Sequence, residues 1–203
     1  MKMKKSFNVS IFYLIVASLF FLFGSCDDNG VTEPPSGIGN ELIIDASSKT
    51  EWVYFSFSKG DTLTVDDPGN SLEWDLGLKR YRLKTNSGTS GPGQGGAVNI
   101  GKVDFDSVVE APENGYTADD SLTYQAHGGS KTISTNQVLN GWAIMQGMPP
   151  TFIPTDSIYV VKTADGKYAR LWFKSYYHPT ESTSGYITLQ YFYQPDGSRN
   201  LNE

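Results

Sequence analysis

The chain has 203 residues, with 16 Lys and Arg against 22 Asp and Glu, a net charge of -6, two histidines and a single cysteine. That acidic balance excludes nucleic acid as a partner, because phosphate binding is carried by a surplus of Lys and Arg. One cysteine excludes an intrachain disulfide, and together with two histidines it cannot complete a tetrahedral zinc site of the Cys/His type.

The first element is a leader. MKMKK supplies a positive n-region, Val9 to Phe23 is an almost unbroken apolar run too short for a typical span, and LFGSC closes it at Cys26. Gly24 and Ser25 before the cysteine fit processing and lipidation at Cys26, so residues 1–25 read as a lipoprotein signal peptide. Loss of Lys2, Lys4 and Lys5 with the leader takes the basic residues from 16 to 13 and the charge from -6 to -9. Residues 26–40, rich in Asp, Gly, Pro and Ser, read as a flexible tether, and 41–203 as one domain.

Within that domain the expected elements are strands. EWVYFSFSKGDTLTV alternates around Lys59-Gly60-Asp61, a strand signal. In SLEWDLGLKRYRLKT, Leu72, Trp74, Leu76 and Leu78 share one parity and Glu73, Asp75 and Lys79 the other, and a shift at Lys79-Arg80 predicts a bulge or twist.

GTSGPGQGG (88–96) follows, with Gly91, Gly93 and Gly96 on the G-x-G-x-x-G spacing. A phosphate cradle needs a helix to open behind those glycines, and the β-branched AVNIGKVDFDSVV that follows has no helical period. The spacing therefore reads as accidental and the glycines answer to something other than a phosphate, while Ser87, Thr89 and Ser90 are available to bond the loop to its own backbone.

Asp165-Gly166 between two β-rich runs predicts a hairpin, and SGYITLQYFYQ adds a third strand to make a C-terminal antiparallel meander. No window after the leader has convincing helical periodicity, so the fold class is all-β, a single antiparallel domain with long loops. Neither a G-x-S-x-G elbow nor an H-E-x-x-H helix is present, and scattered carboxylates cannot be paired from sequence, so the chain does not read as an enzyme.

WVYFSFSKGD (52–61), LEWDLGLKRYRLKTNSGTSGPGQGGAV (72–98), VVEAPENGYTAD (108–119), Gly141-Trp142 and VVKTADGKYARLWFKSYY (160–177) occur in the order seen in HmuY-like haem-binding lipoproteins. The chain resembles that family over most of its length after the tether. The resemblance implies a protein lipid-anchored to the outer membrane at the cell surface, which holds haem between loops at one end of the fold and passes it to an outer-membrane receptor in iron acquisition.

Founding members hold ferric haem through two axial histidines, and the resemblance brings His127, in TYQAHGGSK, to the first position. The stretch after Gly141-Trp142 has no histidine; Met148 stands nearest the second position, with Met145 three residues earlier. Imidazole and thioether are both haem ligands. Alternatives stand beside each: a solvated loop histidine for His127 and packing for a methionine, which suits Met145 in its strand-like run, whereas Met148, in a loop before Pro149-Pro150, is the better ligand candidate.

His178, before Pro179, reads as a turn histidine. Phe152, Tyr176 and Tyr177 are candidates to stack on a porphyrin, or are core, and Lys131 is a candidate for its propionates. The second reading of the whole is the same fold without haem, serving as an extracellular adaptor or a binding module for another ligand.

Overall fold

The computed structural model describes residues 37–202; the expected signal peptide and Cys26 lie outside them. The strands, in chain order, are β1 (Ile38–Asp45), β2 (Val53–Ser56), β3 (Asp61–Leu63), β4 (Leu76–Lys79), β5 (Arg82–Thr85), β6 (Gly96–Gly101) and β7 (Asp120–Ala126). They continue with β8 (Gly129–Thr135), β9 (Ala143–Gln146), β10 (Thr151–Pro154), β11 (Ile158–Lys162), β12 (Tyr168–Tyr177) and β13 (Ser184–Gln194). Helical structure among the described residues is limited to two 3-10 turns, Phe105–Ser107 and Leu139–Trp142. The fold is all-β and antiparallel, as expected.

A five-stranded sheet runs β1-β13-β12-β11-β6 and a four-stranded sheet runs β3-β2-β4-β5, with β7-β8 and β9-β10 as separate two-stranded hairpins. The C-terminal meander is the centre of the larger sheet. Gly166 takes φ +87 in the turn between β11 and β12, so the hairpin expected at Asp165-Gly166 forms, and Gly60 takes φ +65 between β2 and β3, where the alternating runs pair as a further hairpin. Ile38–Asn40, within the stretch read as tether, already pair with Tyr193–Tyr191 in β13.

Alternation along β11 explains why the larger sheet is covered on both faces. Tyr159 and Val161 enter the main core with Phe55, Phe57, Leu76, Leu78 and Leu83 of the smaller sheet, while Ile158 and Val160 face a second cluster around Phe105, Phe192 and Leu201. Arg170 is buried in that second cluster, donating to the Val108 and Leu201 carbonyls and to Asp106. Much of the aromatic surplus is therefore core.

The region 72–85 departs from the alternation. Leu72 is 58 % exposed and Asp75 is buried, the reverse of their parity, because the strand begins only at Leu76. Asp75 is held inside by the backbone N–H groups of Phe57 and Ala164, each at 2.9 Å, so its carboxylate clamps the two sheets together. The shift at Lys79-Arg80 is a two-residue hairpin turn and not a bulge, with Lys79 opposite Arg82. Arg80 opens that turn at φ +54, unusual for a side-chain-bearing residue. Its guanidinium holds it there, donating to the Ser184 carbonyl (2.8 Å), the Ser184 hydroxyl (2.8 Å) and the Ser47 carbonyl (3.3 Å).

The glycine loop is wrapped around Asn86. Its amide donates to the Ser71 and Trp74 carbonyls and accepts from the Gly93 N–H at 3.0 Å, and a Cβ on Gly91 would stand 2.2 Å from its oxygen. Gly88 takes φ +53 with the Asp119 carbonyl 2.0 Å from where a Cβ would be. The loop is thus a structural turn. Its hydroxyls bond outward more than to their own backbone: Ser87 Oγ accepts from the Asp119 N–H at 3.0 Å.

Candidate ligand-binding site

Two hairpin arms rise from the β4-β5 hairpin. In the first, β7-β8, the polar pairs Thr123–Thr132 (2.9 Å) and Gln125–Ser130 (2.8 Å) mark the outer face, and Leu122, Tyr124 and Ala126 with Lys131 and Ile133 share the other. Its root is tied to β5, where Thr135 Oγ1 and the Asn136 N–H both donate to the Leu83 carbonyl at 2.7 and 3.0 Å. Asp119, just before the arm, accepts from the Thr85 N–H, the Thr85 hydroxyl and the Asn136 amide. Burial raises the Asp119 pKa and these bonds oppose the rise.

The second arm, β9-β10, is reached through the 3-10 turn Leu139–Trp142. Trp142 Nε1 donates to the Tyr81 carbonyl at 2.9 Å, and the Phe152 N–H donates to the Tyr177 hydroxyl at 2.9 Å. Phe152 stacks on Tyr81 with centroids 4.6 Å apart and meets Tyr176 at 4.7 Å. Register places Met145 opposite Phe152, hence on the same face, and Ile144 opposite Ile153 on the other.

The two roots share one bridge. The Arg82 guanidinium lies 4.0 Å from the Tyr124 ring centroid in the first arm and 5.2 Å from Tyr81, which carries Phe152 of the second. Tyr124, Arg82, Tyr81 and Phe152 therefore form a continuous ladder of flat groups between the arms.

His127 and Gly128 form the turn at the tip of the first arm, and His127 is exposed. Met148 lies in the turn of the second and is 95 % exposed. At about 3.4 Å per residue, each tip stands on the order of 10 Å along its arm from Tyr124 or Phe152. Met145 is in a strand, but it is 66 % exposed and not core: among the described residues no third strand is hydrogen-bonded to β9-β10, and the packing of β12 on that hairpin falls on Phe152. Tyr176 is buried, and Phe152 and Tyr177 are half-buried in the root of the second arm, so these three serve packing. His178 is a turn residue, its Nδ1 accepting from the Glu181 N–H at 3.3 Å and its ring edge-on to Tyr186.

Lys131 is exposed, opposite Tyr124. Arg82, Tyr81 and Tyr124 were not anticipated from the sequence; the available hint was the KRYR stretch (79–82), where three cations surround a tyrosine. On the same face of β5 as Arg82, Lys84 is buried among Trp52, Tyr54 and Trp74, and burial pulls its pKa down to about 8. Lys79 is lowered as well, by burial and then by Arg82.

The arms offer one imidazole and two thioethers, all exposed, above an aromatic and cationic base. This donor set fits haem, whose iron takes imidazole and thioether ligands.

The family model described as HmuY protein matches residues 48–191, well over half of the chain. An apo HmuY analogue of Tannerella forsythia is 19 % identical with a TM-score of 0.66, covering 80 % of this chain and 99 % of that one. A Bacteroides vulgatus protein described as a candidate HmuY-like haem-binding protein is 24 % identical with a TM-score of 0.63, covering 77 % and 92 %. A candidate lipoprotein of Bacteroides fragilis is 20 % identical with a TM-score of 0.59, covering 77 % and 91 %. No protein of curated function matches the chain.

Proposed function

Because the chain belongs to the HmuY family, a family of binding proteins, we propose that it captures haem between its two hairpin arms and performs no catalysis. His127 would hold the iron through its imidazole, and Met148, or Met145 three residues earlier in β9, would hold it through a thioether. The observation that carries this reading is the Tyr124–Arg82–Tyr81–Phe152 ladder, which roots both arms on one base while leaving the donors at their tips and inner face exposed. Bound haem supplies an iron centre, and a His/Met pair favours the ferrous form relative to two histidines.

Lipidation at Cys26 anchors the protein to the outer membrane with the domain at the cell surface, from which haem passes to an outer-membrane receptor. The description of the Bacteroides fragilis relative as a candidate lipoprotein supports the anchor. Haemin titration of the wild type and of His127→Ala, Met148→Ala and Met145→Ala tests the reading. Saturable binding weakened by His127→Ala and by one methionine change is the expected result; unaltered affinity in all three variants refutes the ligand set.

A second reading, the fold as an extracellular adaptor for another ligand or protein, is favoured by Ile144 and Ile153. They sit opposite each other on the face of β9-β10 away from Phe152, and both are exposed. Haemin leaving the absorption spectrum of the wild type unchanged is the outcome that selects it.

A further inference from the structure

The outer side of the β4-β5 hairpin gathers cations that the rest of this acidic chain does not match. Lys79 is directly opposite Arg82, and Lys131 and Tyr124 face each other in the first arm with the Arg82 guanidinium 4.0 Å from the Tyr124 ring. Among the described residues, ion pairs join Lys167 to Asp165, Arg170 to Asp106, Lys174 to Glu41 and Arg199 to Glu110; none neutralises Lys79, Arg82 or Lys131. The charge they feel from one another is repulsive, since both Arg82 and Lys131 push the Lys79 pKa down while Glu51 only partly opposes them. Arg82 lies on the Tyr124 and Tyr81 rings, Lys79 on Trp52 and Lys131 beside Tyr124, and these three like charges, in a chain of net charge -6, are complementary to a dianion carried on a flat apolar body.

Resting on the haem reading above, we infer that Arg82 and Lys131, with Lys79 behind them, receive the carboxylates of the bound tetrapyrrole and make the site selective for the free dicarboxylic acid over its neutral esters. Arg82 is the better of the two anchors. Its planar fork is already fixed against Tyr124 and Tyr81, so it loses little freedom on meeting a carboxylate, whereas exposed Lys131 contributes as a point charge. Selectivity by charge at the base is independent of iron ligation at the tips. A metal-free porphyrin, which His127 and the methionines cannot ligate, is bound through the base alone.

The test uses the protein with metal-free protoporphyrin IX and its dimethyl ester, followed by quenching of tryptophan fluorescence, in wild type and in Arg82→Gln/Lys131→Gln. The free acid is expected to bind the wild type, to weaken with salt, and to lose about tenfold or more in affinity in the double variant, roughly the value of one charge-assisted contact. The ester is expected to bind more weakly than the acid and to be indifferent to the substitutions. Lys131→Glu, at an exposed position, gives the same direction of change without touching the Arg82 packing, and urea midpoints confirm that the variants fold.

Equal binding of acid and ester, a double variant within about twofold of wild type, or no binding of the free acid each overturns the inference. Haemin spectra of the wild type and of His127→Ala, recorded in parallel, separate that failure from failure of the iron ligands: haemin ligation by the wild type that His127→Ala abolishes, with acid and ester bound alike, leaves haem capture standing without carboxylate selection.

Discussion

Replacing Lys84 by methionine removes a buried ammonium and, with it, a pH dependence that the structure assigns to this one group. Lys84 is 7 % exposed, its Nζ 4.6 to 5.0 Å from the ring centroids of Trp52, Tyr54 and Trp74, with the Tyr54 hydroxyl 3.3 Å away. Burial lowers its pKa from 10.5 to about 8, with Asp119 opposing and Lys79 adding to the fall. A folded pKa below the unfolded value penalises the charged fold below pH 8, and the penalty lifts as pH rises from 8 toward 10.5, because the unfolded chain keeps a proton that the folded one has released.

The full interval corresponds to about 3 kcal/mol, of which about 2 kcal/mol develops between about pH 7 and about pH 9.5. Tyr54 and other tyrosines with raised pKa act in the opposite sense above their ordinary value of 10.0, which is why the comparison stops short of it. Urea unfolding of wild type and Lys84→Met at the two pH values measures the effect as a difference of differences. The wild type should gain about 2 kcal/mol relative to the variant on going to the higher pH; a relative change below about 0.5 kcal/mol refutes the assignment of a lowered pKa to Lys84.

Three stability predictions follow from the scaffold under the site. Asp75→Asn leaves one acceptor oxygen for the Phe57 and Ala164 N–H donors, and the stranded buried donor should cost about 1–3 kcal/mol by urea unfolding. Gly88→Ala meets both a positive φ and the Asp119 carbonyl, and should lose more than about 2 kcal/mol, whereas Gly128→Ala, at φ +99 with nothing within 4 Å, should lose only the backbone term of about 1–2 kcal/mol. Arg80→Ala forfeits the bonds to Ser184 and Ser47 and should lower the unfolding free energy by about 1–3 kcal/mol; a midpoint within error of wild type contradicts the role given to its guanidinium.

The elements that were legible in the sequence are those set by neighbours in the chain. Gly166 punctuates two β-rich runs, and its hairpin and the C-terminal meander form as that punctuation predicts, while the alternating runs on either side of Gly60 form the strands expected of them. Where a side chain answers to something distant, alternation misleads: Asp75 is drawn inside by donors from residues 57 and 164, and Leu72 is left out because pairing starts later. The parity shift at Lys79-Arg80 was visible, but a bulge and a tight turn leave the same mark, and only the contacts of Arg80 with residues 47 and 184 account for the turn.

Met145 is exposed because the packing of β12 on its hairpin falls on Phe152, which composition does not encode. His127 and Met148 could be singled out by resemblance and chemistry. The base beneath them, made by Tyr124, Arg82, Tyr81 and Phe152, spans residues 81 to 152 and exists only once the arms are folded against β4-β5.

The measurement that bears most directly on haem capture is a haemin titration of the wild-type protein, read by absorption in the ferric and ferrous states. Saturation at one haem per chain, with bands characteristic of imidazole and thioether ligation that are lost in His127→Ala, is the predicted result. A haemin spectrum that the protein leaves unchanged in both oxidation states contradicts it, and assigns the two arms to another cargo.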